Sequence, residues 1–245
     1  MMAQAAEASR RLCAFTTRDP VLVRQAQRLR KIAFEATAPC LNAGEFDADD
    51  LDDFCTHLVV RDDGTNEIVG TYRLLSGTEA ASAGGFYSQR EFVLSENIVA
   101  LGDRLLEAGR ACVHPDYRGG SVMFCLWAGL GRFATRNGYQ YLIGCSSIPL
   151  NDSWGDAVDV CRYALSNHLS PAYWRASPIT PLPLEGQSIS HTPALPPLLK
   201  GYLKMGAYVC GNPAWDKDVA TADLFTLLPL DQLRGSYARR FLGNA

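Results

Sequence analysis

A chain of 245 residues, 47% hydrophobic and 20% charged, holds enough apolar material for one substantial core, and this composition excludes a disordered or fibrous protein. Its formal net charge of −3 gives no global attraction to nucleic acid, and the longest apolar run, near Met123 to Leu130, is too short to span a bilayer. The 8 cysteines lie far apart, with no Cys-x-x-Cys pair and no histidine at metal-ligand spacing, so neither a metal site nor a disulfide framework is suggested; a reducing, cytoplasmic setting follows, at most peripheral to a membrane.

The first segment is basic through Arg10, Arg11, Arg18, Arg24, Arg28, Arg30 and Lys31, whereas Asp47 to Asp53 is an acidic run. Each reads as a solvated face or, for the basic stretch and residues 1–18 in particular, as a surface that docks an acidic carrier protein or anionic lipid. Asp19-Pro20 pairs an N-cap residue with proline in the first turn, and Leu22, Ala26, Leu29 and Ala33 then share a face, which predicts a helix to about Glu35. After a loop at Pro39 to Gly44, the runs His57 to Arg61 and Ile68 to Leu75, split by Asp62-Asp63-Gly64, predict a hairpin. Gly77, Gly84 and Gly85 predict loop within Ser76 to Leu105, with a short helix or irregular piece at Phe86 to Val93.

Leu106 to Val113 reads as a strand, Pro115 to Gly120 as a glycine-rich turn, and Val122 to Arg136 as a helix with an apolar face. Such a turn can aim backbone N–H groups and the positive helix end at an acceptor oxygen, while Glu107 and Arg110 bring opposite charges to the strand. That combination suits acyl or phosphoryl chemistry. Another strand is predicted at Tyr139 to Ser146, then an insertion over residues 148–197 with a helix at Val158 to Asn167 inside proline-rich loop. Leu198 to Met205 reads as a helix closed by Gly206, and Tyr208 to Cys210 and Leu224 to Leu228 as final strands. A hairpin first and a crossover helix later make the class α/β with a mixed sheet, read as one domain over residues 1–245.

Val113-His114-Pro115-Asp116-Tyr117-Arg118 resembles the strand-to-helix signature of the N-acyltransferase superfamily, which implies a GNAT-like, mostly antiparallel sheet flanked by helices. The resemblance assigns donor binding to Arg118, Gly119, Gly120 and Ser121, but Ser121 and Met123 stand where the superfamily places small glycines to cradle a pyrophosphate. That departure favours an acyl-phosphopantetheine thioester on a carrier protein over coenzyme A, with no tightly bound cofactor. Phe54 to Val60, Gly70 to Leu75, Phe86 to Ser88, Leu106 to Arg118, Gly144 to Ser147 and Pro196 to Leu203 together resemble the bacterial ornithine acyltransferases, also labelled haemolysin-like. Thr56 departs from the aspartate usual there, and Ala108 from the common leucine. A weaker likeness extends to acyl-homoserine lactone synthases: Arg30 and Phe34 match their Arg-x-x-x-Phe, Arg73 a strand arginine, and Glu107 with Arg110 their Glu-x-x-Arg. Their Asp-x-x-Asp falls on Asp49 and Asp52 or on Asp50 and Asp53, and the offset to Cys55 and His57 favours the first pair.

These resemblances imply transfer of a long, 3-hydroxylated acyl group from acyl carrier protein to the α-amine of ornithine, giving lyso-ornithine lipid. Other amine acceptors, a homoserine-lactone precursor among them, are the alternatives within enzymes, and a noncatalytic acyl-carrier-binding protein is the alternative outside them. Aminolysis of a thioester needs a base for the ammonium, and Glu107 is the candidate, against a purely organising Glu107–Arg110 ion pair. A backbone N–H near Cys112 or Val113, where the superfamily splays two strands, would meet the oxyanion. Tyr202 would protonate the thiolate, against ordinary aromatic packing. Arg30, Arg73 and Arg110 would bind the acceptor carboxylate or the donor phosphate. His57 reads as a core histidine, His114 as a turn cap, and Phe34, Phe124, Trp127 and Trp154 as core aromatics before acyl-channel lining.

Overall fold

A computed structural model of the protein describes residues 11–35, 44–150, 154–184 and 192–233. In chain order its elements are β1 (Leu12–Thr17), α1 (Pro20–Glu35), β2 (Thr56–Asp62), β3 (Glu67–Ser76), α2 (Gly77–Ser82), β4 (Phe92–Leu94), α3 (Glu96–Val99) and β5 (Leu105–Val113). Then follow α4 (Ser121–Arg136), β6 (Tyr141–Pro149), α5 (Gly155–His168), β7 (Ala176–Pro178), α6 (Pro197–Met205), β8 (Tyr208–Val209), β9 (Ala214–Asp216) and β10 (Thr221–Pro229). The described residues cluster into two compact units, one built on the segments before Ser76 and from Ala108 to Gly138, the other on Ser76 to Glu107 and Tyr139 to Leu233. Strand β5 contributes to both.

In the first unit the strand order is β1-β2-β3-β5, with β1 and β3 antiparallel to β2. Leu12–Thr17, part of the basic segment, is therefore a strand; alternation over only 6 residues next to charged neighbours was too weak to announce it. The side chain of Asp19 accepts from the N–H groups of Val21 and Leu22 and starts α1 where expected. Ala26, Leu29 and Ala33 of α1 pack with Val59, Ile68 and Cys112. Helix α4 lies against the other sheet face. A methyl group on Gly70 would stand 2.5 Å from Val122 Cγ1, and one on Gly129 2.8 Å from Leu58 Cδ1, so these two glycines set how closely helix and strands approach.

In the second unit Leu105, Leu106 and Glu107 pair in parallel with Tyr141, Leu142 and Ile143, and β10 runs antiparallel to β6 along its whole length. Strands β8 and β9 also pair β10, and β4 with β7 forms a separate two-stranded sheet. Helices α5 and α6 bury Val160, Cys161, Leu199 and Leu203 with Ala222 and Leu224 of β10. The expectation of loop after Ser76 needs correction: Ser76 and Glu79 form a reciprocal capping box that starts α2, and Phe92–Leu94 is a strand. No helix among the described residues is long and apolar enough to cross a membrane.

Candidate active site

Arg30 belongs to the basic segment by sequence, yet its place beside Leu29 on the inner side of α1 leaves it 0% exposed. A guanidinium without water must find anions. Its two terminal nitrogens each reach the Asp52 carboxylate at 2.7 Å, Nε stands 2.9 Å from Asp47 Oδ1, and Nη2 also donates to the Asp47 carbonyl. The turn that carries Asp52 is tied by the Asp49 N–H donating to Asp52 Oδ2 and the Leu51 N–H to Asp49 Oδ1. Arg73 donates to Asp49 Oδ1, and Arg110 lies 3.5 Å from both Asp47 Oδ1 and Asp49 Oδ2. Three arginines and three aspartates thus form one network in the first unit. Asp50 and Asp53 are exposed.

Burial alone would raise the Asp52 carboxyl, but the forked bond and charge of Arg30, with Arg73 behind, hold it at about 2. Burial likewise opposes, and Arg73 and Arg110 overcome it in, the lowering of Asp49. His57 is fully buried opposite Arg73, its Nε2 is 3.4 Å from the Asp52 carbonyl, and its Nδ1 has no hydrogen-bond partner among the described residues. Burial, aided by the Arg30 and Arg73 charges, lowers its pKa from 6.5 against the pull of Asp52. The unfolded chain then binds more protons than the folded one as pH drops through 6.5, so His57 favours folding above that pH and progressively less below it. A urea midpoint that falls from pH 7 to 5.5, and falls less in His57→Gln, is the expected result.

Glu107 is 5% exposed in the second unit. Its Oε2 accepts from the Tyr87 N–H at 2.8 Å, and its Oε1 from the Ser88 N–H at 2.8 Å and from the Ser88 hydroxyl. The carboxylate therefore pins the tight turn Tyr87–Arg90 to strand β5. That turn is among its partners, and Arg110 joins the aspartate network of the first unit. The same turn runs into Glu91, whose carboxylate lies with those of Asp216 and Asp223 so that one oxygen of each falls within 4.8 Å of the others. Asp223 is 1% exposed and accepts a hydrogen bond from the Thr221 hydroxyl at 2.8 Å. Burial and then the charges of Asp223 and Asp216 push Glu91 up to about 8. Glu91, Asp223 and Glu107 also act together on the Cys145 thiol, which burial first and these carboxylates next raise well above its ordinary value. Four carboxylates thus share one neighbourhood.

Neither Glu91 nor Asp223 stood out in the sequence. A lone acid inside an otherwise apolar strand was the available signal at Asp223, and starting that strand at Leu224 missed it. Tyr202 is half-buried in α6, with its carbonyl accepting from the N–H groups of Gly206 and Ala207. Phe34 is partly buried against the α1 core, Cys112 is buried in it with its thiol pushed by burial up to about 12, and Val113 is half-buried.

The turn after β5 is fastened at both ends. The His114 N–H donates to the Val69 carbonyl, His114 Nδ1 accepts from the Asp116 N–H, and the buried Tyr117 hydroxyl donates to Asp62 Oδ2 at 2.9 Å. Gly120 then takes φ 101°, a left-handed value suited to glycine, and Ser121 opens α4. Arg118, Gly119, Gly120 and Ser121 are all exposed at this helix start, where first-turn N–H groups point outward. Phe124, expected in the core, is 53% exposed on the first turn.

Residues 29–128 match the acetyltransferase (GNAT) domain model. The L-ornithine N(alpha)-acyltransferase of Rhizobium meliloti is 33% identical over 85% of this chain and 75% of its own length, and that of Rhodobacter capsulatus is 30% identical over 93% and 95%. The chain belongs to this acyltransferase family. Among solved structures the acyltransferase shares its fold with the AHL synthase LasI (TM-score 0.54, 12% identity, 97% of this chain and 98% of that one). FeeM, an N-acyl amino acid synthase from uncultured soil microbes, gives a TM-score of 0.55 at 13% identity over 94% of this chain and 98% of that one. The expected GNAT-type α/β fold, with a mixed and mostly antiparallel sheet flanked by helices, is thereby established for the acyltransferase, as is its enzyme class.

Proposed function

We propose that the protein moves a long-chain (3-hydroxy)acyl group from the thioester of acyl carrier protein to the α-amine of ornithine, producing lyso-ornithine lipid in the cytoplasm as a single catalytic domain. The relatives named above supply the acceptor, and one observation in this chain fits it closely. Ornithine carries two ammonium groups, and the second unit gathers Glu91, Asp216 and Asp223 with Glu107. In this reading the three clustered carboxylates take the distal δ-ammonium, which keeps that amine charged and unreactive, and Glu107 serves the α-ammonium. A pocket for glycine or another neutral side chain would have no use for such a concentration of negative charge.

The reaction balances without a cofactor. Glu107, each of whose oxygens can accept more than one hydrogen bond, takes a proton from the α-ammonium. The freed nitrogen attacks the thioester carbon, the C–N bond forms, and the oxyanion draws on a backbone N–H of Cys112 or Val113. Attack leaves the nitrogen as a positively charged N–H2 group that gives its extra proton to solvent. Collapse then breaks the C–S bond, the thiolate takes the Tyr202 proton, and Tyr202 is reprotonated through solvent by the proton held on Glu107, so that one proton is released per amide. Arg110, half-exposed beside Asp47 and Asp49, is assigned to the acceptor carboxylate, while Arg30 and Arg73 hold the aspartates that aim it. Arg118, Gly119, Gly120 and Ser121 receive the phosphate of the pantetheine arm at the α4 N-terminus.

Product mass tests the proposal. Purified protein given 3-hydroxyacyl carrier thioester and an equimolar mixture of amino acids should yield N-acyl ornithine with release of one carrier thiol per amide. Acylation of another amino acid, or carrier binding without thiol release, would overturn it.

A further inference from the structure

The outward face of α1 carries Val21, Arg24, Arg28 and Ile32, spaced three or four residues apart and all exposed, with Val21 66% and Ile32 48% accessible. The two arginines are not loose. Arg24 Cζ stands 4.3 Å and Arg28 Cζ 5.2 Å from the centre of one ring, that of Phe46, and Arg28 reaches Glu45 at 2.7 Å. Arg18, also exposed, extends the charge just before the helix and is oriented by donating to Thr56 Oγ1 at 3.1 Å. The structure separates what the sequence lumped together: Arg30 turns inward to the aspartates and Lys31 to Glu35, while Arg18, Arg24 and Arg28 remain as a stripe on the outside.

We infer that this face of α1 docks the acyl carrier protein, through an acidic, amphipathic helix of that partner. The inference rests on the reading that the donor is a carrier protein. Preorganised cations interleaved with exposed aliphatic groups match a helix that alternates carboxylates with apolar side chains, since the first supply orientation and the second supply buried area. Asp19, Glu35 and Glu45 are exposed around the stripe. They would repel a uniformly anionic lipid surface but leave a patterned partner room to place its charges over Arg24 and Arg28.

The experiment compares two donors that share one thioester and one phosphorylated arm: the acyl carrier protein and acyl-phosphopantetheine, which lacks the protein body. For Arg24→Glu with Arg28→Glu the expected result is a KM for the acyl carrier raised at least tenfold, with kcat and all acyl-phosphopantetheine kinetics unchanged. Rising salt should weaken the wild type toward the same KM. Arg24→Gln with Arg28→Gln, milder for folding, should give an intermediate rise. An unchanged carrier KM in both variants, or equal losses with both donors, would overturn the docking site. So would loss of sedimentation with phosphatidylglycerol vesicles while carrier KM stays constant, which would assign the face to lipid. If the wild type uses acyl-phosphopantetheine as well as it uses the carrier, the carrier-donor reading itself fails, a result distinct from the others.

Discussion

Glu107→Gln should lower kcat by about 10²–10⁴ at saturating donor while the protein stays folded, as expected for loss of a positioned general base. Glutamine is close in shape, but its amide NH2 must face either the Tyr87 N–H or the Ser88 donors that now meet the carboxylate. A donor set against a donor costs about 1–3 kcal/mol, so some loss of stability is built into the substitution and must be separated from chemistry. The pH dependence separates them. As pH rises, a growing share of ornithine already carries a neutral α-amine and needs no base, so the deficit of the variant should narrow steadily. A Glu107 that only fastens the Tyr87–Arg90 turn predicts a deficit of the same size at every pH. Stopped assays of thiol release across pH 7 to 10, with melting curves on the same samples, decide between the two.

Arg30→Met should cost about 3–5 kcal/mol of stability, the penalty for leaving buried carboxylates without their counter-charge. Asp52 loses both forked contacts and Asp47 loses its closest described cation. With a whole domain stabilised by about 5–15 kcal/mol, a large part of the folded population is at stake. Arg24→Met, on the same helix but exposed, serves as the control and should fall within about 1 kcal/mol. Urea midpoints of the two variants give the comparison directly. A loss below about 1 kcal/mol for Arg30→Met would mean that the network is far more hydrated than its burial indicates.

What the sequence disclosed depended on whether the signal was local. The Asp19-Pro20 start of α1, the hairpin at Asp62-Asp63-Gly64 and the glycine cap of α6 are written in single residues with specific backbone needs, and each appears in the structure where expected. Helix α2 was missed because its six residues have no apolar face, although the spacing of Ser76 and Glu79 was the cue. The offset to Cys55 and His57 favoured Asp49 with Asp52 over Asp50 with Asp53, and in the structure a tight turn, tied by the Asp49 N–H donating to Asp52, carries the first pair into contact with the arginines. Arg30 marks the limit of local signals, because only the orientation of α1 distinguishes it from the exposed arginines beside it. Asp216 and Asp223 lie on the paired neighbouring strands β9 and β10, but Glu91 comes from a distant stretch, and no local pattern joins it to them.

Those three carboxylates bear most directly on the proposed acceptor. Because burial and the neighbouring acids raise Glu91 to about 8, an ammonium placed among these carboxylates should displace its proton, and ornithine should bind more tightly as pH rises toward 8. The decisive measurement is kcat/KM for ornithine against norvaline, which lacks only the δ-amine, in wild type, Glu91→Gln and Asp223→Asn. The account predicts a wild-type preference for ornithine of about 10–100-fold, the worth of one buried charged hydrogen bond, that collapses in both variants while norvaline turnover persists. Equal use of the two acceptors by the wild type, or a preference that survives both substitutions, would contradict it.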